Sequence, residues 1–230
     1  MWLFPLAAAI VAFAFAGSLA RRWFARRRPA ELAWAIALAM YGVASVALAW
    51  GVLDGFSRTA FAAYWIFGAV LNVPFLAAGE VMLLFDRAWV RWACWLVLVF
   101  LTAYTIAIVA GADVSAAALA ETLPSGKDVF GDATPAHRLP QLISIPSYVV
   151  LLAGTLYSAW RMRGRPELRA RFVGTLLIAL GATVVAGGSA FAATGMLAGF
   201  SLTLLAGIGF MFWGFRSATR APAPVATPAA

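Results

Sequence analysis

The residue best suited to chemistry is Glu80, the only acid well inside the long apolar run of residues 60–85. If that run crosses a membrane, a carboxylate within it is costly to bury and is characteristic of proton and cation pathways. Asn72 and Pro74 lie upstream, and a proline inside a span frees a backbone carbonyl group. The three residues predict a polar site in which Glu80 binds a proton or a cation. The alternative is that Glu80, one to two turns from the end of its span, extends out of the membrane to Arg87 or to an arginine cluster on another helix, as charged groups near helix ends commonly do.

A second group of polar side chains begins the apolar run 141–160. Interpreted functionally, these side chains line an outward-facing cavity beneath a long loop. The alternative is that they form interhelical hydrogen bonds, which contribute about 0.6 kcal/mol each. Together with Asn72 and Glu80 they make up a candidate intramembrane polar site; the members from this run are Gln141, Ser144, Ser147 and Tyr148, with Pro146 among them.

Other patterns that carry chemistry are sparse. Asp128, Asp132 and His137 share one polar stretch, but their spacing matches no recognised zinc or calcium site. His137 is the only histidine, which excludes a haem held by two histidines. The sequence has neither a glycine-rich phosphate loop nor a Ser-His-Asp set. It therefore predicts no catalytic residue, no metal, no cofactor and no enzymatic activity.

The composition predicts the environment of these residues. Of 230 residues, 64% are hydrophobic and 11% are charged, and the mean hydropathy is +0.90; soluble domains carry about 25% charged residues. Long apolar runs recur without strand-like alternation. Because a bilayer admits only helices or closed barrels, an all-α polytopic membrane protein is predicted. The single cysteine, Cys94, lies inside an apolar run, so no intrachain disulfide forms.

The apolar runs predict seven transmembrane helices within one domain, residues 1–220. The spans are expected at residues 2–20, 31–50, 60–85, 92–111, 141–160, 171–193 and 195–215. In the long connection, residues 112–139, we expect Asp113 to begin a short helix over 114–123, followed by irregular chain. Residues 221–230 are rich in alanine and proline and predict a disordered tail.

The charge distribution predicts the orientation. The net charge is +8, and residues 21–28, 87–91, 161–171 and 216–220 hold 14 of the 17 lysine and arginine residues. These clusters fall on one side of the seven spans, so the positive-inside rule places the N-terminus outside, the C-terminus in the cytoplasm and the long loop outside. We expect a multi-pass protein of the bacterial cytoplasmic (inner) membrane that binds no nucleic acid. Anchors for anionic lipid head groups are Arg21, Arg22, Arg26, Arg27, Arg28, Arg161, Arg163 and Arg165.

Two stretches of the sequence resemble each other. Residues 16–29 and 153–166 align without a gap and match at seven of fourteen positions. Each ends an apolar run, passes through a tryptophan and arginines, and reaches a proline that begins the next run. The match predicts that spans one to three and five to seven are parallel repeats joined by span four. The alternative is convergence, since each matched residue also has a local reason to be there.

Small residues recur at four-residue spacing in two of the predicted spans. This spacing is typical of closely packed membrane helices. We expect packing within the chain rather than a dimer face. The residues are Ala8, Ala12, Ala16 and Ala20 in the first span, and Gly195, Gly199, Thr203 and Gly207 in the last.

The plan of three, one and three spans resembles the sugar-transporter and PQ-loop families, and also the seven-helix opsins. The dipeptide Pro140-Gln141 at the start of span five is similar to the motif of the PQ-loop proteins. A retinal protein is excluded, because the only lysine, Lys127, lies in the loop. The chain as a whole resembles uncharacterised bacterial seven-span membrane proteins, a resemblance that implies an architecture and no activity.

Two functions follow from these observations. The favoured one is a non-catalytic integral membrane protein, either sensor-like or an accessory subunit bound to a membrane protein partner. The alternative is a carrier of small solutes or ions, with its cavity between helices 1–3 and 5–7. Carriers usually bring several polar groups together near the middle of the membrane, and this sequence offers few.

Overall fold

The computed structural model describes residues 2–220, and these residues contain helices and turns without a strand. Seven helices are long and apolar enough to cross a membrane. This is the architecture of a multi-pass membrane protein, and it confirms the predicted fold class. The helices are α1 Leu3–Arg26, α2 Pro29–Asp54, α3 Arg58–Leu84, α4 Ala88–Ala110, α5 Pro135–Met162, α6 Arg169–Ala193 and α7 Leu197–Arg220.

Several helices extend beyond the predicted spans. α1 continues through the first arginines to Arg26, because arginine is a good helix former and its long side chain reaches polar surroundings from inside the last turn. α5 begins at Pro135 rather than at residue 141. Thr134 is its N-cap: the hydroxyl accepts a hydrogen bond from the His137 N–H at 3.3 Å. The tail, residues 221–230, lies outside the described residues.

Six of the helices form a closed ring. In order around it, α1 packs on α2, α2 on α3, α3 on α5, α5 on α6, α6 on α7, and α7 returns to α1. α4 lies outside the ring against α3. We call the end that carries the α1–α2, α3–α4 and α5–α6 turns the arginine end, and the opposite end the loop end. The order of contacts is the same within α1–α3 and α5–α7, and repetition of the halves stays a prediction.

The two similar stretches form matching turns at the arginine end. Arg27 has φ 53° and Gly164, at the aligned position, has φ 77°, so both lie in the left-handed region. Pro29 is the first residue of α2, and Pro166 begins the 3₁₀ turn before α6. The aligned glycines differ in their packing: a Cβ added to Gly154 would collide with Glu80, whereas one added to Gly17 would meet no atom within 4 Å. The resemblance therefore reflects a shared turn geometry.

The small residues pack inside the chain. Ala8, Ala12 and Ala16 of α1 are buried. In the α6–α7 pair, a Cβ added to Gly207 would meet Val185 and the backbone of Gly181. This close approach shows that Gly207 packs within the chain, whereas a Cβ added to Gly195 would meet no atom within 4 Å.

The long connection is packed rather than irregular. A short helix is present within the predicted segment 114–123, but it covers only Ala116–Leu119 and its N-cap is Ser115, so the predicted bounds and the predicted cap, Asp113, were wrong. A second turn, Gly126–Phe130, follows the N-cap Ser125. The connection folds onto the bundle because its apolar side chains Leu123, Val129 and Phe130 are buried against the loop end of the core.

Candidate functional site

The interface between α3 and α5 brings together two stretches of π-helix. Tyr64–Leu71 of α3 and Pro140–Ser144 of α5 both have the wider π-helical winding, and they contact each other. A proline accompanies each: Pro74 follows the first stretch and Pro140 begins the second. π-Helical turns leave backbone groups imperfectly paired and are frequent at functional sites. The partners of those backbone groups therefore determine how the interface is built.

Ser144 supplies the donor that Pro74 removes. The Ser144 hydroxyl lies 2.7 Å from the carbonyl oxygen of Ala69 and 2.9 Å from that of Val70. These carbonyls stand five and four residues before Pro74, respectively, where the missing proline N–H would otherwise point. One hydroxyl hydrogen is shared between both acceptors. A side chain of α5 thus provides the hydrogen-bond donor for backbone carbonyls of α3.

Trp65 makes the reciprocal contact. Its indole Nε1–H donates to the carbonyl oxygen of Ala136 at 3.1 Å, and the contact is buried. Ala136 stands four residues before Pro140, so this carbonyl also lacks its helical donor. A side chain of α3 thus provides the hydrogen-bond donor for a backbone carbonyl of α5. The two helices are matched to each other at the prolines, as expected where a membrane helix is interrupted.

Glu80 lies in the same interface, closer to the arginine end. Its side chain is buried, and the Ser158 hydroxyl of α5 donates to Oε1 at 3.0 Å. A Cβ added to Gly154 would lie 2.6 Å from Cγ of Glu80, so glycine is what permits this approach. Glu80 forms no ion pair with Arg87 within residues 2–220. In the part of the chain that the structure describes, Glu80 is thus bonded to Ser158 of α5 and not paired with Arg87.

The remaining predicted residues do not converge on one point. Asn72 is buried, and its Oδ1 has no partner among the described residues. Ser147 donates to its own helix, at Ile143, and the Tyr148 hydroxyl lies 2.8 Å from that of Thr183 in α6. Gln141 is exposed at the loop end, where its amide, in the orientation that satisfies it, donates to the carbonyls of the preceding turn. Ser144 and Glu80 each join α3 to α5, at different depths.

A second buried acid lies at the arginine end. Arg22 Nε is 3.2 Å from Glu31 Oε1, the Glu31 side chain is 6% exposed, and its Oε2 has no partner among the described residues. The Arg22 guanidinium also lies 5.0 Å from the centre of the Phe215 ring. Arg22 of α1 thus contacts α2 and α7 within the bundle, whereas the predicted role was contact with lipid head groups. The other seven predicted anchors are exposed, namely Arg21, Arg26, Arg27, Arg28, Arg161, Arg163 and Arg165.

Sequence reasoning missed Trp65, Ser158 and the pairing of Arg22 with Glu31. The signal for the first was indirect: Pro140 indicates that the Ala136 carbonyl needs a donor, but not which helix supplies it. Ser158 lies two residues before the end of the predicted span, where a serine has no distinguishing pattern. The contacts of Trp65 and Ser158 join residues more than seventy positions apart, and the Arg22–Glu31 pair joins residues nine positions apart across the α1–α2 turn.

The loop end of the bundle is closed by three aromatic rings, which we call the aromatic plug. Phe61 stacks on Trp65 with ring centres 5.9 Å apart, and Phe130 lies 5.5 Å from Phe61 and 5.7 Å from Trp65. All three are buried. A Cβ on Gly126 would collide with the Trp65 ring, so the loop sits directly on the plug.

Two grooves stand out on the surface. The larger, of about 730 Å³, is apolar and lies between α3, α4 and α5. The smaller, of about 450 Å³, lies at the loop end beside Asp132 and His137, whose closest atoms are 3.8 Å apart. Within residues 2–220, no group of three histidine, cysteine or acidic side chains is placed to hold a metal.

In comparisons with protein-family models, curated proteins and solved structures, the chain matched none. The similarity to the sugar-transporter and PQ-loop plan accordingly rests on the helix count and one dipeptide.

Proposed function

We propose that the chain is a non-catalytic integral membrane protein that acts as a sensor-like or accessory subunit of a membrane complex. The observation that carries this proposal is the aromatic plug of Phe61, Trp65 and Phe130, which closes the loop end above a packed bundle. A carrier needs a polar route to its substrate site from each side in turn. Here the loop end holds apolar rings where such a route would begin.

The interior beneath the plug supports the same proposal. Leu48, Leu71 and Ile208 are 0%, 0% and 1% exposed, and they occupy α2, α3 and α7. Tyr41 crosses the ring to donate its hydroxyl to the Leu204 carbonyl of α7 at 2.8 Å, a buried contact. α1 meets α7 through Phe15, whose ring centre is 5.3 Å from that of Phe212. Side chains that fill the space between helices 1–3 and 5–7 favour a scaffold over a conduit.

Thiol accessibility tests this proposal. In a Cys94→Ala background, single cysteines replace Leu48, Leu71 and Ile208, and native membranes are treated with a small water-soluble thiol reagent. We expect no labelling at the three core positions and rapid labelling at a control cysteine in place of exposed Arg27. Labelling of the core positions at the rate of the control would overturn the proposal.

The accessory role has its own test. The tagged full chain is crosslinked in its native membrane, and its assemblies are separated by size. We expect a stoichiometric membrane protein partner that is retained in mild detergent. Recovery of monomers alone, at the 24.4 kDa of the chain, contradicts the accessory role.

A carrier is the second candidate, and one observation favours it. Glu80 is a buried carboxylate, bonded to Ser158, in an interface built from π-helical and proline-containing segments. Interrupted helices and intramembrane acids characterise transporters. Proteoliposomes with the wild-type chain and with Glu80→Gln test this candidate. Proton-coupled flux that Glu80→Gln abolishes, and that Glu121→Gln in the loop leaves intact, favours the carrier; absence of flux from both excludes it.

The placement in the membrane is also a proposal. We infer a bacterial cytoplasmic membrane, with the arginine end in the cytoplasm, because the positive clusters favour that side. The exposed arginines other than Arg22 support contact with anionic head groups. Labelling of a cysteine at Arg27 from the outside of intact cells would contradict this orientation.

A further inference from the structure

The groove between α3, α4 and α5 has the properties of a lipid-binding site. Its wall is formed by small and apolar side chains of three helices, among them Pro74, Ala78, Ala93, Val97, Pro146 and Val150. Its volume of about 730 Å³ falls in the range of roughly 300–1,000 Å³ that ligand pockets occupy. α4 lies outside the helix ring, so the groove opens on the outer surface of the bundle rather than toward its interior.

The length of the groove matches one leaflet. Its lining runs along α4 from Arg87, just before the helix begins, to Leu101. The fourteen steps from Arg87 to Leu101 extend about 21 Å at about 1.5 Å per step. Half of a bilayer of about 40–45 Å, head groups included, is about 20–22 Å. The groove therefore has the height of a single phospholipid.

The charge is concentrated at one end. Arg87 and Trp89 line the groove at the arginine end, where both are exposed. Arg87 has no carboxylate within ion-pair distance among the described residues, whereas its neighbour Arg91 pairs with Asp86 at 3.4 Å. A guanidinium suits a phosphate group, and tryptophan favours the membrane interface. A head group at Arg87 leaves its acyl chain along the apolar wall.

The other end of the groove is closed. Beyond Leu101, Thr105 and Val109 of α4 are buried, at 0% and 4% exposure. The outer part of α4 contacts the first turn of α5, Pro135–Leu139. A partner helix would need a surface continuous over the full hydrocarbon core of about 30 Å. This groove has room for an acyl chain of one leaflet and does not extend into the other leaflet.

We propose that the α3–α4–α5 groove binds one anionic glycerophospholipid, with its phosphate on Arg87 and one acyl chain along Ala93, Val97 and Val150. Binding at this position joins the peripheral helix α4 to α3 and α5 through the lipid. The site is separate from the proposed role of the bundle and does not depend on it.

Photocrosslinking and native mass spectrometry test the site. The full chain is placed in nanodiscs of phosphatidylcholine that contain a small fraction of phosphatidylglycerol with a diazirine in its acyl chain. We expect crosslinks concentrated on the α3, α4 and α5 segments that line the groove. We also expect phosphatidylglycerol to be retained over phosphatidylcholine by about fivefold, the factor that corresponds to about 1 kcal/mol per basic residue.

Two pairs of variants isolate the head-group and acyl-chain contacts. Arg87→Gln should remove the preference for phosphatidylglycerol, while Arg91→Gln should retain it. Ala93→Trp fills the groove and should abolish the crosslinks there, while Ala103→Trp, on an exposed part of α4 outside the groove, should not. All four positions are at least partly solvent- or lipid-accessible, and size-exclusion profiles verify folding. Crosslinks spread evenly around the bundle, retention unaffected by Arg87→Gln, or a protein crosslinked at the groove overturns the proposal.

Discussion

The hydroxyl of Ser144 in α5 lies 2.9 Å from the carbonyl oxygen of Val70 in α3, an acceptor left without its helical donor by a proline. The reciprocal contact, from Trp65 to Ala136, completes α5 in the same way. These two bonds explain why a pair of interrupted helices packs tightly. An unpaired carbonyl in a membrane costs more than a weak hydrogen bond contributes.

Removing the Ser144 hydroxyl should destabilise the protein more when Pro74 is present than when it is replaced. We expect Ser144→Ala to lower the free energy of unfolding by about 1–2 kcal/mol. Pro74→Ala restores a backbone N–H, so the cost of Ser144→Ala should shrink in that background. Unfolding in mixed micelles measures the double-mutant cycle. Ser147→Ala is the matched control because Ser147 bonds within its own helix; equal costs in both backgrounds contradict the account.

Trp65→Phe tests the reciprocal bond. The substitution keeps an aromatic ring in the plug and removes the donor to Ala136, so we expect a loss of about 1–2 kcal/mol in unfolding free energy. Pro140→Ala should reduce that loss, since it supplies a backbone donor to the same carbonyl. Trp92→Phe provides the control, because Trp92 is 75% exposed. If Pro140→Ala gives no compensation, packing of the indole ring accounts for the loss instead.

The aligned glycines should respond oppositely to alanine. Gly154→Ala places a methyl group 2.6 Å from Cγ of Glu80, and we expect a loss of about 1–3 kcal/mol from overpacking. Gly17→Ala meets no atom within 4 Å and should be neutral or stabilise α1 by up to about 1 kcal/mol. Thermal unfolding in detergent compares them. In a Glu80→Ala background, Gly154→Ala should destabilise the protein less. If the loss of stability is unchanged, the added methyl group does not collide with Glu80.

Replacing only Arg22 should lower the free energy of unfolding more than replacing Arg22 and Glu31 together. Arg22→Gln leaves the Glu31 carboxylate buried without its partner, and we expect a loss of about 1–3 kcal/mol, moderated by the partial solvation of Arg22. Arg22→Gln with Glu31→Gln should cost less than Arg22→Gln alone. The control is Arg26→Gln at an exposed position. Additive costs of the two single substitutions would show that the pair is uncoupled.

The sequence was sufficient for the parts of the structure that depend on local properties. The seven spans follow from apolar runs, and the turns near Arg27 and Gly164 follow from Pro29, which begins α2, and Pro166, which begins the 3₁₀ turn before α6. Helix ends were less accurate, as at Pro135, because arginine, threonine and proline extend a helix beyond its apolar part. In the loop the predicted helix was too long, and the turn Gly126–Phe130 was mistaken for irregular chain, since it is held by burial against Phe61 and Trp65 rather than by propensity.

The sequence identified some residues of the candidate site but not their partners. An acid in an apolar run identifies Glu80 from the sequence, and a proline identifies a carbonyl that needs a donor. Neither reveals that Ser158 faces Glu80 or that Ser144 and Trp65 complete the opposite helix, because those contacts join residues more than seventy positions apart.

By itself, the sequence determined that this chain has seven membrane-spanning helices and that its arginines cluster at one end, because hydropathy and charge act on each segment separately. The tertiary structure decided that Arg22 pairs with a buried acid, that Glu80 is held by Ser158, and that α4 lies outside the ring with a groove beside it. Each of these outcomes depends on which helix faces which. That choice is made by shape complementarity between distant segments, at the glycines, the prolines and the aromatic plug.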